Sequence, residues 1–568
     1  MPGDIAMNDL STAGRNGDLE PSGKTGAADD GSIGRGQQFA RVVSISGSQL
    51  VALLDAQLDD KGILQFTAPQ IGELVAIATR GSTVFGIVTG LNIPLPDNAH
   101  VERELRIIEV ELIGEIERGS EGKTGGFQRG VSSYPSLDDL ISHATQADLQ
   151  RVFVRPELQS VRIGALHQDR SVPALISPNE LLGKHFAVLG TTGSGKSCAA
   201  ATILRAILSQ RSNAHMVIID PHNEYSSAFA DVAEVISPQN LSLPYWLLNF
   251  EELKELIIGH GSKNTDTDAI VLNEVVTQAK RNMQQSGAQQ SIDPNLPINI
   301  DTPVPYRVSD VAKIIDEILG SVDKPANVAP YQRIKEKFQS LQNDRRYSFM
   351  FGGLTVFDNM AKILARIFRV PVAGKPVTVI DTSGMPSEVL SVVVTLLCRM
   401  TFDFALWSEL AVPILLVCEE AHRYAPHVDG TGFDSARLAM ARIAKEGRKY
   451  GVSLCLVSPR PSELSTTVLS QCGTIFSMRL SNQKDQEYLL AALPESSTGL
   501  MGELPSLRNG EAIAVGEGVP VSARICLDLL PEDQQPKSRA APFSKAWGED
   551  QIDAEFLKEL VNRWRRQR

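Results

Sequence analysis

Short apolar runs, each ending at a polar or glycine-containing turn, recur through the middle of the chain. They lie at 186–189, 216–220, 377–381, 413–418 and 452–457, and stretches with helical spacing of apolar positions separate them. That alternation predicts a parallel sheet flanked by helices, in a core spanning 150–249 and 351–525. Between the two parts the rhythm breaks. Residues 250–350 carry helix-forming runs at 251–258, 269–284 and 311–319 around a Pro- and Asn-rich segment near 293–305. They read as a helical insertion, a place for substrate or partner contacts or a cover for one end of the sheet.

Upstream, the pattern is that of a small β-barrel over 38–115. Short strands are expected at 40–46, 49–54, 73–78, 84–89 and 104–114, with turns at Asp59-Asp-Lys-Gly and Arg80-Gly-Ser. Residues 116–149, rich in Gly and Ser near their start, read as a linker. Residues 1–37 are polar and Gly/Asp/Ser-rich, which predicts a disordered tail rather than a signal peptide. The last segment, 526–568, reads as a polar tail leading to an amphipathic helix at 550–568, whose basic tip is suited to nucleic acid, to a neighbouring subunit or simply to the helix dipole.

Composition narrows the class. The chain has 568 residues, 42% of them hydrophobic and 21% charged. No uninterrupted apolar stretch approaches the roughly 20 residues of a membrane span, so no membrane association is expected. Six cysteines without a C-x-x-C pair argue against a zinc site or a disulfide framework and fit a reducing cytoplasm. The net charge of −12 is the wrong sign for coating nucleic acid with the whole surface. Any DNA contact must come from a local basic patch or a pore between subunits.

The candidate chemistry starts at 190–197, Gly-Thr-Thr-Gly-Ser-Gly-Lys-Ser, between an apolar run and a helical stretch. This is the G-x-x-x-x-G-K-[ST] phosphate loop in its proper setting. Backbone N–H groups of Gly190, Thr191, Thr192, Gly193, Ser194, Gly195, Lys196, Ser197 and Cys198 form the expected cradle for ATP. Lys196 would neutralise phosphate charge, and the Ser197 hydroxyl would ligate Mg²⁺. Three apolar runs end in acids, at Asp220, Asp381 and Glu419-Glu420, and only the last is a tandem pair. Hydrolysis needs one acid at the metal and one at the attacking water. Glu419 is therefore expected on the metal side and Glu420 as the base, although glutamate at 419 departs mildly from the usual aspartate. More than two hundred residues separate Lys196 from Glu420, the plan of a motor with strands inserted between the two. Arg442 and Arg448, on a basic helix end, are candidates for an arginine finger reaching a neighbour's nucleotide; a solvated salt-bridge helix is the plain alternative. Ser458-Pro459-Arg460-Pro461 has the character of a γ-phosphate sensor.

The phosphate loop, Asp220-Pro-His-Asn-Glu-Tyr225, Glu419-Glu-Ala-His422, Glu446-Gly-Arg-Lys-Tyr-Gly451 and Arg460-Pro-Ser-Glu-Leu with Val468-Leu-Ser-Gln-Cys472 occur in an order that resembles the HerA family of DNA translocases, kin of FtsK-like motors. The resemblance covers roughly 150–525, and the region 38–115 is similar to the barrel these proteins carry. It implies a RecA-like P-loop NTPase core with a parallel-rich sheet, an N-terminal β-barrel serving as a docking platform, and a homo-hexameric ring around double-stranded DNA. ATP would sit between subunits, with Arg448 preferred as the trans arginine. Asp220 would be the family's acid in the strand beside the phosphate loop, helping to place Mg²⁺ or water. The implied function is ATP-driven translocation or unwinding coupled to a NurA-type nuclease or a sirtuin-like effector, in DNA end processing or phage defence. The competing reading is an ATP-regulated ring scaffold that activates a partner enzyme and moves DNA little; a conjugation-type coupling ATPase is disfavoured by the missing membrane spans. One departure stands out: many relatives have Gln where this chain has Pro459, which leaves Ser458 or Arg460 as the only possible sensors there.

Overall fold

The computed structural model describes residues 36–54, 68–93, 106–118, 125–154, 159–259, 265–287, 292–322, 325–352, 357–428, 432–493, 498–537, 543–548 and 554–565. The expected N-terminal tail lies almost wholly outside the described residues, as do the Asp59 turn and the last three residues of the basic C-terminal tip.

An eleven-stranded sheet forms the centre of the molecule. Seven strands run parallel, in the spatial order Ala233–Ile236, Val377–Asp381, Met216–Asp220, Ile414–Cys418, Val452–Ser458, Phe186–Leu189 and Thr474–Ser477. The five strands expected from the apolar runs are among them. These strands are buried on both faces, which is why they read as unbroken apolar runs rather than alternating ones. Four further strands, Glu511–Gly516, Ala523–Leu527, Val161–Leu166 and Pro173–Ile176, extend the sheet in antiparallel fashion.

Helices cover the sheet. Counter to the expectation from the sequence, the helix Ser387–Trp407 is long and apolar enough to cross a membrane, and most of it is buried inside the protein. It is a core helix. Its Arg399 donates to Glu252 (2.7 Å) and Asp403 (2.8 Å), and Glu252 also closes the capping box at Asn249 that starts the helix Phe250–Ile257. That helix, with Thr265–Gln285, Val308–Gly320, Ala329–Asn343 and Met360–Phe368, lies in the helical segment between the adjacent strands Ala233–Ile236 and Val377–Asp381.

The N-terminal strands Gln49–Leu54, Gln38–Ser46, Leu140–His143, Leu74–Ala78, Ser82–Asn92 and Ile107–Glu117 pair in that order, and the first pairs with the last. The circuit is closed. Its sixth strand, Leu140–His143, falls inside 116–149, so that segment is no simple linker: it returns to fill the gap between Gln38–Ser46 and Leu74–Ala78 and then forms the helix Gln146–Phe153. Side chains alternate across the barrel wall. Val75, Ile77, Val84 and Val88 face the barrel's own core, while Leu74, Ala76, Phe85 and Ile87 join the core of the large domain.

Candidate nucleotide-binding and hydrolysis site

The phosphate loop follows the strand Phe186–Leu189 and enters the helix Lys196–Gln210, where Gly195 (φ 97°) takes the left-handed conformation before the first helical residue. Gly190 is tightly held: a Cβ there would stand 2.7 Å from Ser194 Oγ and 2.8 Å from Met478 Cβ. The neighbouring strand end pins the loop, since Thr191 donates through its N–H (2.9 Å) and Oγ1 (3.1 Å) to the Arg479 carbonyl. Lys196 is buried and donates to the Thr191 carbonyl (3.1 Å). Burial lowers its ammonium, opposed by the charges of Glu419, Glu420 and Glu224. Ser194 Oγ is buried without a protein partner, and an α-helix leaves the N–H groups of its first turn without intrahelical acceptors. Unpaired donors, a buried cation and a loop with no room for a side chain at Gly190 fit a bound polyphosphate.

One strand, Val452–Ser458, separates the phosphate-loop strand from Ile414–Cys418. At the tip of the latter the tandem acids diverge. Glu419 turns inward, fully buried, and accepts from the Tyr225 hydroxyl at 2.6 Å. Burial pushes its carboxyl up to about 8; Tyr225 works against that rise, and the charges of Glu420 and Glu224 add to it. Glu420 adopts a left-handed conformation (φ 55°), uncommon for a side chain of this kind, and so stays at the surface of the site. His422 Nε2 lies 3.6 Å from one of its carboxylate oxygens and His222 Nε2 4.0 Å from the other. The other nitrogen of His422 meets Ser458 Oγ at 3.3 Å, so the strand beside the phosphate loop is linked to Glu420.

Asp220 does not lie beside the phosphate loop. Its strand is three places away, beyond Val452–Ser458 and Ile414–Cys418. Its carboxylate accepts from the N–H groups of Tyr225 (2.8 Å) and His222 (3.2 Å), fastening the turn that delivers Tyr225 to Glu419. Arg460 shares a cleft with Thr191, Thr192, Asn482 and Asp485, next to the phosphate loop, and is paired with Glu463 at 2.7 Å. Ser197 and Cys198 are half-buried in the helix's first turn, where burial, and after it the charge of Glu224, raises the Cys198 thiol.

Arg448 and Arg442 stand apart from this cluster. Arg448 lines a cleft at the opposite edge of the sheet, among the strand starts Met216, Ile414 and Val452. The guanidinium of Arg442 lies 4.0 Å over the Phe402 ring. Tyr225 and Glu224 are site residues that sequence reasoning passed over, although both stand in the segment that begins at Asp220. Nothing in the sequence ties Tyr225 to a partner 194 positions away.

A sequence model described as the central domain of the helicase HerA matches residues 161–401. The probable helicase MJ1565 of Methanocaldococcus jannaschii is 24% identical over 536 residues, covering 89% of this chain and 94% of that protein. The DNA double-strand break repair helicase HerA of Pyrococcus furiosus is 28% identical over 468 residues, covering 75% of this chain and 78% of its own length. Among solved structures, VirB4 of Thermoanaerobacter pseudethanolicus superposes with a TM-score of 0.45 at 15% identity, covering 66% of this chain and 98% of that one. With its phosphate loop, its tandem acids and relatives of this kind, the chain is similar to the HerA helicases over its central domain and is a P-loop ATPase.

Proposed function

We propose that the protein is an ATP-driven translocase or helicase on double-stranded DNA, working in the cytoplasm as a homo-hexameric ring coupled to a partner nuclease or sirtuin-like effector, in DNA end processing or phage defence. One observation carries this reading. The phosphate loop and the acids share one edge of the sheet, while Arg448 lies at the other and makes no ion pair among the described residues, so in a ring it serves a neighbour's nucleotide. Arg442, engaged on Phe402, is the weaker candidate. The names of the relatives, which include DNA double-strand break repair helicases, support the choice of DNA.

In this scheme the loop from Gly190 to Cys198 wraps the phosphates of ATP, and Lys196 takes up their charge. Ser197 and Glu419 would hold Mg²⁺, which would supply charge stabilisation during hydrolysis. Glu420 polarises the attacking water, oriented by His422 and His222. Asp220 acts at one remove, through the Tyr225 turn, and Arg460 senses the γ-phosphate from its cleft.

The test is DNA-stimulated ATP hydrolysis by the wild type, by Lys196→Ala, by Arg448→Ala and by rings mixed from the two variants. Recovery of activity in mixed rings is the expected result. No recovery at any ratio removes the shared site. Unstimulated turnover with full activation of the partner replaces the translocase with an ATP-regulated scaffold.

A further inference from the structure

Three strands of the antiparallel extension bring together side chains that no motif connects. Glu511 and Cys526 are directly opposite each other in the pairing of Glu511–Gly516 with Ala523–Leu527. Cys526 also pairs with Ala165, and His167, two residues on, emerges on the same face because strand side chains repeat every second residue. His167 Nδ1 lies 3.4 Å from Glu511 Oε1 and 3.8 Å from Cys526 Sγ, and Sγ lies 3.9 Å from the same oxygen.

We propose that His167, Glu511 and Cys526 form a binding site for a divalent transition-metal ion of the zinc class, with the fourth position open to solvent. The 3.4 Å separation exceeds that of an ordinary N–H···O hydrogen bond, about 2.7–3.2 Å. All three separations are close to the edges of a tetrahedron built on metal bonds of about 2.0–2.3 Å, which run to about 3.3–3.8 Å. Imidazole, thiolate and carboxylate together select zinc over magnesium or calcium. The carboxylate is already aimed. Its other oxygen, Oε2, accepts from Arg524 Nη2 (2.7 Å) and from the Arg508 N–H (3.0 Å), which leaves Oε1 turned to the other two ligands. Glu511 and Cys526 are buried, while the side chain of His167 is 37% exposed and gives an ion its entry.

The site is a brace. Gln168, next to His167, accepts from the N–H of Leu74 in the barrel at 2.9 Å. An ion that fixes His167 therefore steadies the seam between barrel and ATPase core. The cysteine spacing argues against a zinc site only for ligands contiguous in sequence, and these lie on three separate segments.

Cobalt(II) added to the chelator-treated full-length protein tests the proposal. The expected result is a near-ultraviolet thiolate-to-cobalt absorption band that saturates at one ion per chain. The band is kept in Cys198→Ser, the thiol beside the phosphate loop, and lost in Cys526→Ser. No band in the wild type, or a band that survives Cys526→Ser, overturns the site. His167→Ala covers the case in which Cys526→Ser does not fold: zinc raises the melting temperature of the wild type and not of this variant. An equal rise in both overturns the site as well.

Discussion

Every residue of the core strands Met216–Asp220, Val377–Asp381 and Ile414–Cys418 is buried, whereas the barrel strand Gln38–Ser46 buries three of its nine residues. The difference follows from what lies on each side. Parallel core strands have helices on both faces, so solvent and substrate reach them only at their tips, and polar chemistry gathers there. The strand Gln38–Ser46 turns one face to the barrel's small core and the other to solvent, while Leu74–Ala78 and Ser82–Asn92 divide their faces between that core and the flank of the ATPase domain. Core strands aim reactive groups; barrel strands hold a surface in place. Substitutions at the tips should therefore stop chemistry at little cost in stability, and substitutions within either wall should do the reverse.

The largest expected effect is at a tip. Glu420→Gln should still bind ATP but lose about 10²–10⁴-fold in turnover, the usual contribution of a positioned base, with an unchanged melting temperature. Turnover at the wild-type rate would remove Glu420 from the chemistry. Next come the walls. Leu416→Ala in the core and Ile141→Ala in the barrel each remove a fully buried side chain and should cost about 2–5 kcal/mol. Hydrogen exchange separates them: the first should loosen the parallel strands, and the second only the barrel, leaving basal ATP hydrolysis in place. Equal loosening of both regions by Ile141→Ala would mean that they do not open independently.

Smaller still is Tyr225→Phe, which deprives the buried Glu419 of its hydroxyl partner. About 1–3 kcal/mol of stability should go, together with part of the ATPase rate, a mixed result intermediate between tip and wall. The smallest effect concerns pH. Burial raises the Glu111 carboxyl, in the barrel wall, from 4.5 to about 7. A carboxyl raised in the folded state favours folding fully below its unfolded value, and that contribution is lost as pH rises through about 7. The barrel's denaturation midpoint should fall between pH 5 and pH 8, and Glu111→Gln should flatten the slope; an unchanged slope would exclude Glu111 as its source.

The same contrast explains what the sequence made legible. Strands buried on both faces announce themselves as short apolar runs, and the phosphate loop is contiguous, so both could be placed from residues alone. The final barrel strand, Leu-Ile-Ser-His at 140–143, is short and follows a Gly/Ser-rich stretch, and only its pairing between two distant strands makes it a strand. The antiparallel extension was missed for a related reason: its members come from both ends of the core and recognise each other only across the sheet. At the site, acids were found because a tandem pair ends a strand, but the Tyr225–Glu419 contact and the His422 link to Ser458 depend on neighbours in space. The order of strands differs from the expectation as well: the family resemblance set Asp220 in the strand beside the phosphate loop, and the sheet puts two strands between them.

The strand Val452–Ser458 begins immediately after the Gly451 that caps the Arg448 helix end and finishes at the hydroxyl touching His422. Seven residues of extended chain make a stiff strut of roughly 23 Å. In a ring of the kind proposed, one end of that strut would rest against the adjoining protomer's triphosphate and the other against the water-activating group of its own. Loss of the γ-phosphate next door would then be felt as a push or pull along a rod, and firing order around the circle would be a property of sheet mechanics rather than of a separate signalling element.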